Sequence, residues 1–401
     1  MSFKARSALL TIAFYSLLTI GCGDTFRPIA IPIVQQGGQP QANRQAIVLS
    51  DPGPGTSGSA THINVSGNTN VGQVTLEVDP VHAALVNGGG IIVVVNKGSE
   101  NLNFYTTFSP TTATPPALIS LNAGSVPVYI FSNVVGSIFV AESGSNKVGV
   151  VNLGSPTGLT AEIPVGTAPV ALNGSPDGTR LYVANSGDNT VSVVDTGTNA
   201  LVPSTAALPN PIVVGGTPSF LVVSPDGTRL YSINKSGNSV SIIDTSNDSV
   251  TNVAVGSAPN DAVFDRVNRR VWVTNSTGTT VSAINADTLS ANFGAVTNID
   301  LTSACGAPLP TSITVLADGS RAYVADSGCG KVSVINTLSN TVSSNIVVGA
   351  TPLFIASSPD SSKVYVANNG SNTVSIIQPS NDTVSGTIAV PAKPVFVFVT
   401  P

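Results

Sequence analysis

The sequence predicts an all-β protein, a β-propeller built from four-stranded antiparallel blades. Three observations carry that prediction. Short β-favouring runs that end in a turn residue recur with a period near 45 residues. A proline stands a fixed distance ahead of most of them, and tight Pro-Asp-Gly turns lie between. A period of that length is one propeller blade per repeat.

The clearest run is Leu181-Tyr182-Val183-Ala184-Asn185. Similar runs end at Asn96, Glu142, Asn234, Asn275, Asp326 and Asn368, and a weaker one, Ala46 to Ser50, ends at Asp51. Successive markers are 45, 46, 43, 49, 41, 51 and 42 residues apart. Sixteen residues before the marker stand Pro80, Pro169, Pro218, Pro259, Pro310 and Pro352, with Pro127 off by one. Only 28 of the 401 residues are proline, so this coincidence fixes the phase of the repeat.

Each repeat then reads as four strands, a to d. Strand a follows the proline. Next comes a turn such as Ser175-Pro176-Asp177-Gly178 or Ser224-Pro225-Asp226-Gly227, in which Pro fixes φ, Asp bonds nearby backbone and Gly takes positive φ. Strand b is the marker run, strand c follows a polar turn, and strand d is richer in Thr, Ser and Asn. Unbroken apolar runs such as Ile91 to Val95 predict strands buried on both faces, as between packed blades.

The ends complement each other. Asp51 has no proline-led strand ahead of it, whereas Pro394 to Thr400 is a strand a with nothing after it. The C-terminal strand is therefore expected to join the N-terminal blade and close the ring, removing free sheet edges. Eight blades is the favoured count; seven is the alternative, because strand b of the first blade is weak.

The organisation expected is a signal peptide over 1–21, a lipidated Cys22 with a tether to residue 43, and one propeller over 44–401. Lys4 and Arg6 form a positive n-region and Ala8 to Leu18 an apolar core too short to span a bilayer. Thr19-Ile20-Gly21-Cys22 resembles the lipobox of bacterial lipoproteins, with Thr19 where that family usually has Leu. An ordinary secretory leader is the competing reading. Gly23 rather than Asp after the cysteine implies, by the family's sorting rule, an outer-membrane or surface destination. Pro28, Pro32 and the run Gln35 to Pro40 suit a tether.

Charged residues make up 9% of the chain and the formal charge is −5. Removing Lys4 and Arg6 leaves 14 basic against 21 acidic residues, or −7. Such a chain builds no dense basic surface, which excludes non-specific nucleic-acid binding.

Chemistry-bearing residues are scarce. His62 and His82 lack a carboxylate or cysteine at ligand spacing, and no phosphate loop, Gly-x-Ser-x-Gly elbow or haem motif is present. No metal or cofactor is therefore expected. With Cys22 spent on lipid, Cys305 and Cys329 remain in an oxidising compartment. They fall in the d–a and b–c loops of the seventh blade, which emerge on one face, so a disulfide is expected. Asp51, Glu142 and Asp326, the acidic markers, are expected on that same face, giving its mouth a mild negative field. The long loops Asp51 to Ala60 and Leu301 to Pro310 are the expected binding loops.

Tyr182-Val183-Ala184-Asn185, Trp272-Val273-Thr274-Asn275 and Tyr365-Val366-Ala367-Asn368, with the Ser-Pro-Asp-Gly turns, resemble YVTN-type propeller repeats. These occur in bacterial YncE-like and archaeal surface-layer proteins. The resemblance covers roughly residues 80–400. It implies an extracytoplasmic location and carries over no catalytic residue. The function expected is a non-enzymatic, lipid-anchored binding module, a monomer presenting loops to a protein, polymer or small ligand. The alternative is a propeller enzyme, lactonase-like or quinone-dependent dehydrogenase-like, on analogy of fold alone.

Overall fold

In the computed structural model, residues 44–107, 117–134, 136–152, 158–205 and 208–401 are described; the leader, Cys22 and the tether lie outside them. The described residues form eight antiparallel sheets arranged as an eight-bladed propeller. Strand a of each blade is innermost, and each strand a packs on the next: blade 2 on blade 3, then in order to blade 8, blade 1 and back.

Blade 1 is closed as expected. Its strand a is Pro394–Val399, which pairs antiparallel with Gln45–Ser50. Ser57–Asn64 and Thr69–Val78 complete the sheet. The register also corrects one expectation. In the other blades the residue paired with the strand-a proline is the marker itself, as in Pro169 with Asn185 and Pro310 with Asp326. In blade 1, Pro394 faces Ser50, so the marker is Ser50 and Asp51 lies one residue beyond. The apolar run there ends in serine, a residue without the amide that signals the position elsewhere.

Burial follows the unbroken runs. Tyr182, Tyr231, Trp272, Tyr323 and Tyr365, at equivalent points of successive b strands, are at most 1% exposed. Each core is shared by two blades: Trp272, Val281 and Ile299 of blade 6 pack with Ile313, Val324 and Ile335 of blade 7. Burying one such side chain stabilises by about 1.5–3 kcal/mol, so the blade interfaces carry most of the stability.

Both faces are stitched. On the b–c/d–a face, the backbone N–H after each marker donates to the carbonyl of the residue before the strand-a proline, at 2.8–3.2 Å in all eight blades. In seven blades that pre-proline residue is a non-glycine at φ +44° to +58° (Asp79, Val126, Ala168, Thr217, Ala258, Leu309, Thr351). A left-handed L-residue costs about 1–2 kcal/mol. The repeated clamp holds the strain in place. On the opposite face, arginines at the start of strand b cross to the next blade: Arg180 donates to Thr245 O at 3.1 Å, and Arg321 to Pro379 O at 2.6 Å and Asp382 at 2.7 Å. The a–b turn aspartates serve their own turns, Asp177 accepting from Thr179 N and Asp226 from Thr228 N.

That opposite face is richer in long loops than the sequence suggests. The c–d connection of blade 6 runs over 286–295, and that of blade 4 includes the described residues 202–205 and 208–211. In blade 4 the insertion splits strand d into Ala200–Leu201 and Ile212–Val213, both paired to strand c. Asn210 bridges the gap, donating to Val193 O and Val202 O.

Candidate functional site at the mouth of the central channel

The strand-a prolines form the rim of the channel on the b–c/d–a face. Two residues further in, about 7 Å down at some 3.3 Å per residue, each blade contributes one side chain to a ring. In blade order these are Phe396, His82, Tyr129, Ala171, Phe220, Asp261, Ser312 and Phe354. The ring is aromatic through five blades and polar through two.

The aromatic members touch in series. Phe354 and Phe396 have centroids 4.5 Å apart, Phe396 and His82 4.5 Å, and His82 stacks on Tyr129 at 4.0 Å with planes 26° apart. Tyr129 meets Phe220 edge-on at 6.2 Å, reaching past the small Ala171 of the intervening blade. His82, Tyr129, Phe220, Asp261 and Phe354 are all half-buried, whereas Phe396, Ala171 and Ser312 are buried.

Burial pushes the His82 imidazole down to about 3, so the ring is neutral at physiological pH. Its Nδ1 is buried without a hydrogen-bond partner. Tyr129 is held un-ionised well above the usual phenol range, first by burial and then by the charge of Asp261 across the channel. The Asp261 carboxylate accepts from Ser312 Oγ at 2.8 Å, Ile313 N at 3.1 Å and Ala262 N at 2.9 Å. It is thereby fixed against blade 7.

The rim carries the disulfide. Cys305 and Cys329 are bonded, with Cα atoms 6.3 Å apart, tying the d–a loop that leads into blade 7 to that blade's b–c loop. Lys331 Nζ adds a bond to Ala304 O at 2.6 Å. The long loop is thus braced at two adjacent points.

The acidic markers lie elsewhere than expected. Glu142 and Asp326 are both fully buried at the ends of their b strands. In the asparagine blades the marker amide donates to the first and third residues of strand c, as Asn185 does to Thr190 and Ser192, and Asn275 to Thr280 and Ser282. Asp326 takes the same place and accepts from Ser333 Oγ at 2.6 Å. Burial raises the Asp326 carboxyl to about 7 and raises that of Glu142 as well. Neither side chain reaches the face, so the negative field expected of them is absent there. Asp51 is partly exposed and caps its own loop, accepting from Gly53 N at 3.0 Å.

His62 is a core residue: fully buried, its Nδ1 2.6 Å from Gln45 Oε1, and held near 4 by burial. Among the described residues no cluster of three His, Cys, Asp or Glu could hold a metal. No sequence motif marks the ring. The signal was available as the second residue after each strand-a proline.

No protein-family model matches the chain, and no curated protein does. Solved structures match in fold. Apo AztD from Citrobacter koseri is 13% identical, with a TM-score of 0.65 over 89% of this chain and 97% of that one. Dihydro-heme d1 dehydrogenase NirN, in complex with DHE, is 11% identical, with a TM-score of 0.71 over 92% and 78%. Kuenenia stuttgartiensis hydrazine synthase is 21% identical, with a TM-score of 0.60 over 75% and 96%. At these identities the likeness is one of fold, and that fold carries both enzymes and other proteins.

Proposed function

We propose that this chain is a non-enzymatic binding module of the YVTN-repeat type, held at the cell envelope by lipid on Cys22. On this reading its channel mouth takes a small aromatic ligand or a partner's aromatic side chain. The observation that carries the reading is the aromatic arc of Phe354, Phe396, His82, Tyr129 and Phe220, half-buried except at the buried Phe396 and set beneath a rim braced by Cys305–Cys329. Aromatic faces on a rigid scaffold bind with little ordering cost. The leader motif and the repeat motifs support the envelope placement and the family.

The test uses indole as an uncharged probe and calorimetry on the full-length protein. One saturable site is expected, with Phe220→Ala weakening it at least tenfold while the melt stays cooperative. Unchanged affinity in that variant would remove the arc from the site.

A second reading is favoured by His82, a neutral imidazole of the ring whose buried Nδ1 has no hydrogen-bond partner. The compared propellers include a synthase and a dehydrogenase by name. In a propeller enzyme His82 would hold the substrate by a hydrogen bond, since an imidazole held near 3 is too weak a base at neutral pH. The eight a strands carry no Lys or Arg, which disfavours an anionic quinone as cofactor. Incubation with an envelope metabolite extract separates the two readings. Consumption of a compound by the parent but not by His82→Asn would put catalysis ahead of binding.

A further inference from the structure

We infer that the a–b/c–d face of the propeller lies against the lipid bilayer, through Leu289, Leu338 and Val267, so that the channel mouth opens away from the membrane. The inference rests on the lipid anchor of the reading above and goes beyond it by assigning the surface that meets lipid. Two separate placements carry it: where the chain from Cys22 enters the propeller, and where exposed apolar side chains stand.

The chain enters on that face. Arg44, the first described residue, donates to Asp360 Oδ2 at 2.7 Å in the a–b turn of blade 8. Its carbonyl accepts from Val65 N at 2.9 Å in the c–d turn of blade 1. The segment 23–43 therefore joins Cys22 to the face opposite the mouth.

Among the described residues, ten large hydrophobic side chains are exposed. Five stand on d strands around the circumference, and one, Leu309, is on the mouth face at 37%. The other four, Val134, Val267, Leu289 and Leu338, are on the a–b/c–d face, with Leu289 87% and Leu338 75% exposed. Three of these four share one region. The turn that carries Leu338 is bonded to that of Val267, Arg270 donating to Thr337 O and Asn340 Oδ1 and Asn268 Nδ2 to Thr337 Oγ. Arg269 pairs with Asp287, two residues before Leu289, at 3.0 Å. The tips thus stand on a braced, polar base, which suits the boundary between headgroups and acyl chains: the tip sinks and the base stays wet.

Charge does not draw this face to anionic lipid. It carries seven arginines and Lys363, or eight basic residues, against ten aspartates, a net of −2. The contact is apolar. A few shallow side chains hold a free protein on a bilayer weakly, but a lipid on the same chain makes the encounter intramolecular and raises its effective concentration.

The experiment places one tryptophan on either face of the full-length protein, isolated with its lipid: Leu289→Trp, or Lys235→Trp in the exposed b–c turn of blade 5. Each variant is put into phosphatidylcholine vesicles with brominated acyl chains; Trp272 is fully buried and gives a constant background. Leu289→Trp is expected to be quenched at least threefold more than Lys235→Trp. Adding Leu338→Ser to Leu289→Trp should at least halve the quenching while the melt stays cooperative. Anionic phosphatidylglycerol in the vesicles should lower the quenching rather than raise it. Equal quenching of the two tryptophans, or stronger quenching of Lys235→Trp, would overturn the inference while leaving the anchor. An emission of Leu289→Trp that shifts with protein concentration in the absence of lipid would give the patch to a second copy and overturn it too. A protein that does not float with vesicles at all would instead overturn the anchor reading beneath it.

Discussion

Glu142 occupies the space that glycine leaves at position 149. A Cβ built on Gly149 would lie 2.4 Å from Glu142 Oε1. Glu142 is paired with Lys147 across strands b and c of blade 3, which puts Gly149 diagonal to it, two residues along strand c, where the asparagines of blades 4, 5, 6 and 8 donate to a serine. The longer carboxylate fits only because the diagonal side chain is absent. Glu142 is therefore a variation on an internal strut, and its acidity is a packing matter.

Gly149→Ser should consequently destabilise the propeller by about 2 kcal/mol or more, as overpacking does. Combining it with Glu142→Asn, which restores the pair used elsewhere, should recover most of that loss. A double-mutant cycle by denaturant unfolding measures the coupling. Additive effects would mean the two residues do not share the space.

Asp326 makes a pH-dependent prediction. Its folded carboxyl titrates near 7, above its ordinary value near 4. Between pH 4 and 7 the folded state holds a proton that the unfolded chain has released, so this group's contribution to stability falls as pH rises through that window. Asp326→Asn should therefore stabilise at pH 8, by up to about 4 kcal/mol, and gain nothing near pH 4. His62 and His82 act oppositely. Their depressed values mean the unfolded chain takes up protons first as pH drops below 6.5, so stability falls toward acid. Thermal melts of the parent and Asp326→Asn across pH 4–8 check both limbs.

The C-terminal strand is the fastener of the ring. Deleting residues 394–401 removes the partner of Gln45–Ser50 and also Phe396, which contacts both Phe354 and His82. Loss of cooperative unfolding, or aggregation through the exposed edge, is expected by calorimetry and light scattering. A truncated protein that melts like the parent would contradict this closure.

The disulfide should brace and not fold the protein. Cys305→Ser with Cys329→Ser opens a loop of sequence separation 24. The chain-entropy relation puts the loss at about 3 kcal/mol. Far-ultraviolet dichroism should remain that of a β protein while the melting temperature drops. Weaker probe binding in the variant would tie the brace to the mouth.

Much of this architecture was legible because it repeats. The proline and the marker recur in phase, and the unmatched strand at Pro394 has one vacant place to go. What failed was whatever departs from the repeat. Ser50 lacks the marker's amide, so the phase of blade 1 slipped by one residue. The insertions near Asn210 and Leu289 carry no periodic signal, and they left the opposite face looking bare. The channel ring was obscured for another reason. Phe220, Phe354 and Phe396 sit inside apolar runs that are mostly core, and only His82 of blade 2, Asp261 of blade 6 and Ser312 of blade 7 break the apolar character. Burial of Glu142 and Asp326 was hidden because a carboxylate at a turn reads as exposed until its strut is seen.

The most direct test of the channel-mouth site is a nuclear magnetic resonance titration of the imidazole signals with indole. The chain has only two histidines, one in the proposed site and one buried in blade 1 against Gln45. The His82 ring proton should shift saturably with the probe while that of His62 stays in place. An unmoved His82 signal at saturating probe, or equal shifts at both histidines, would contradict the account.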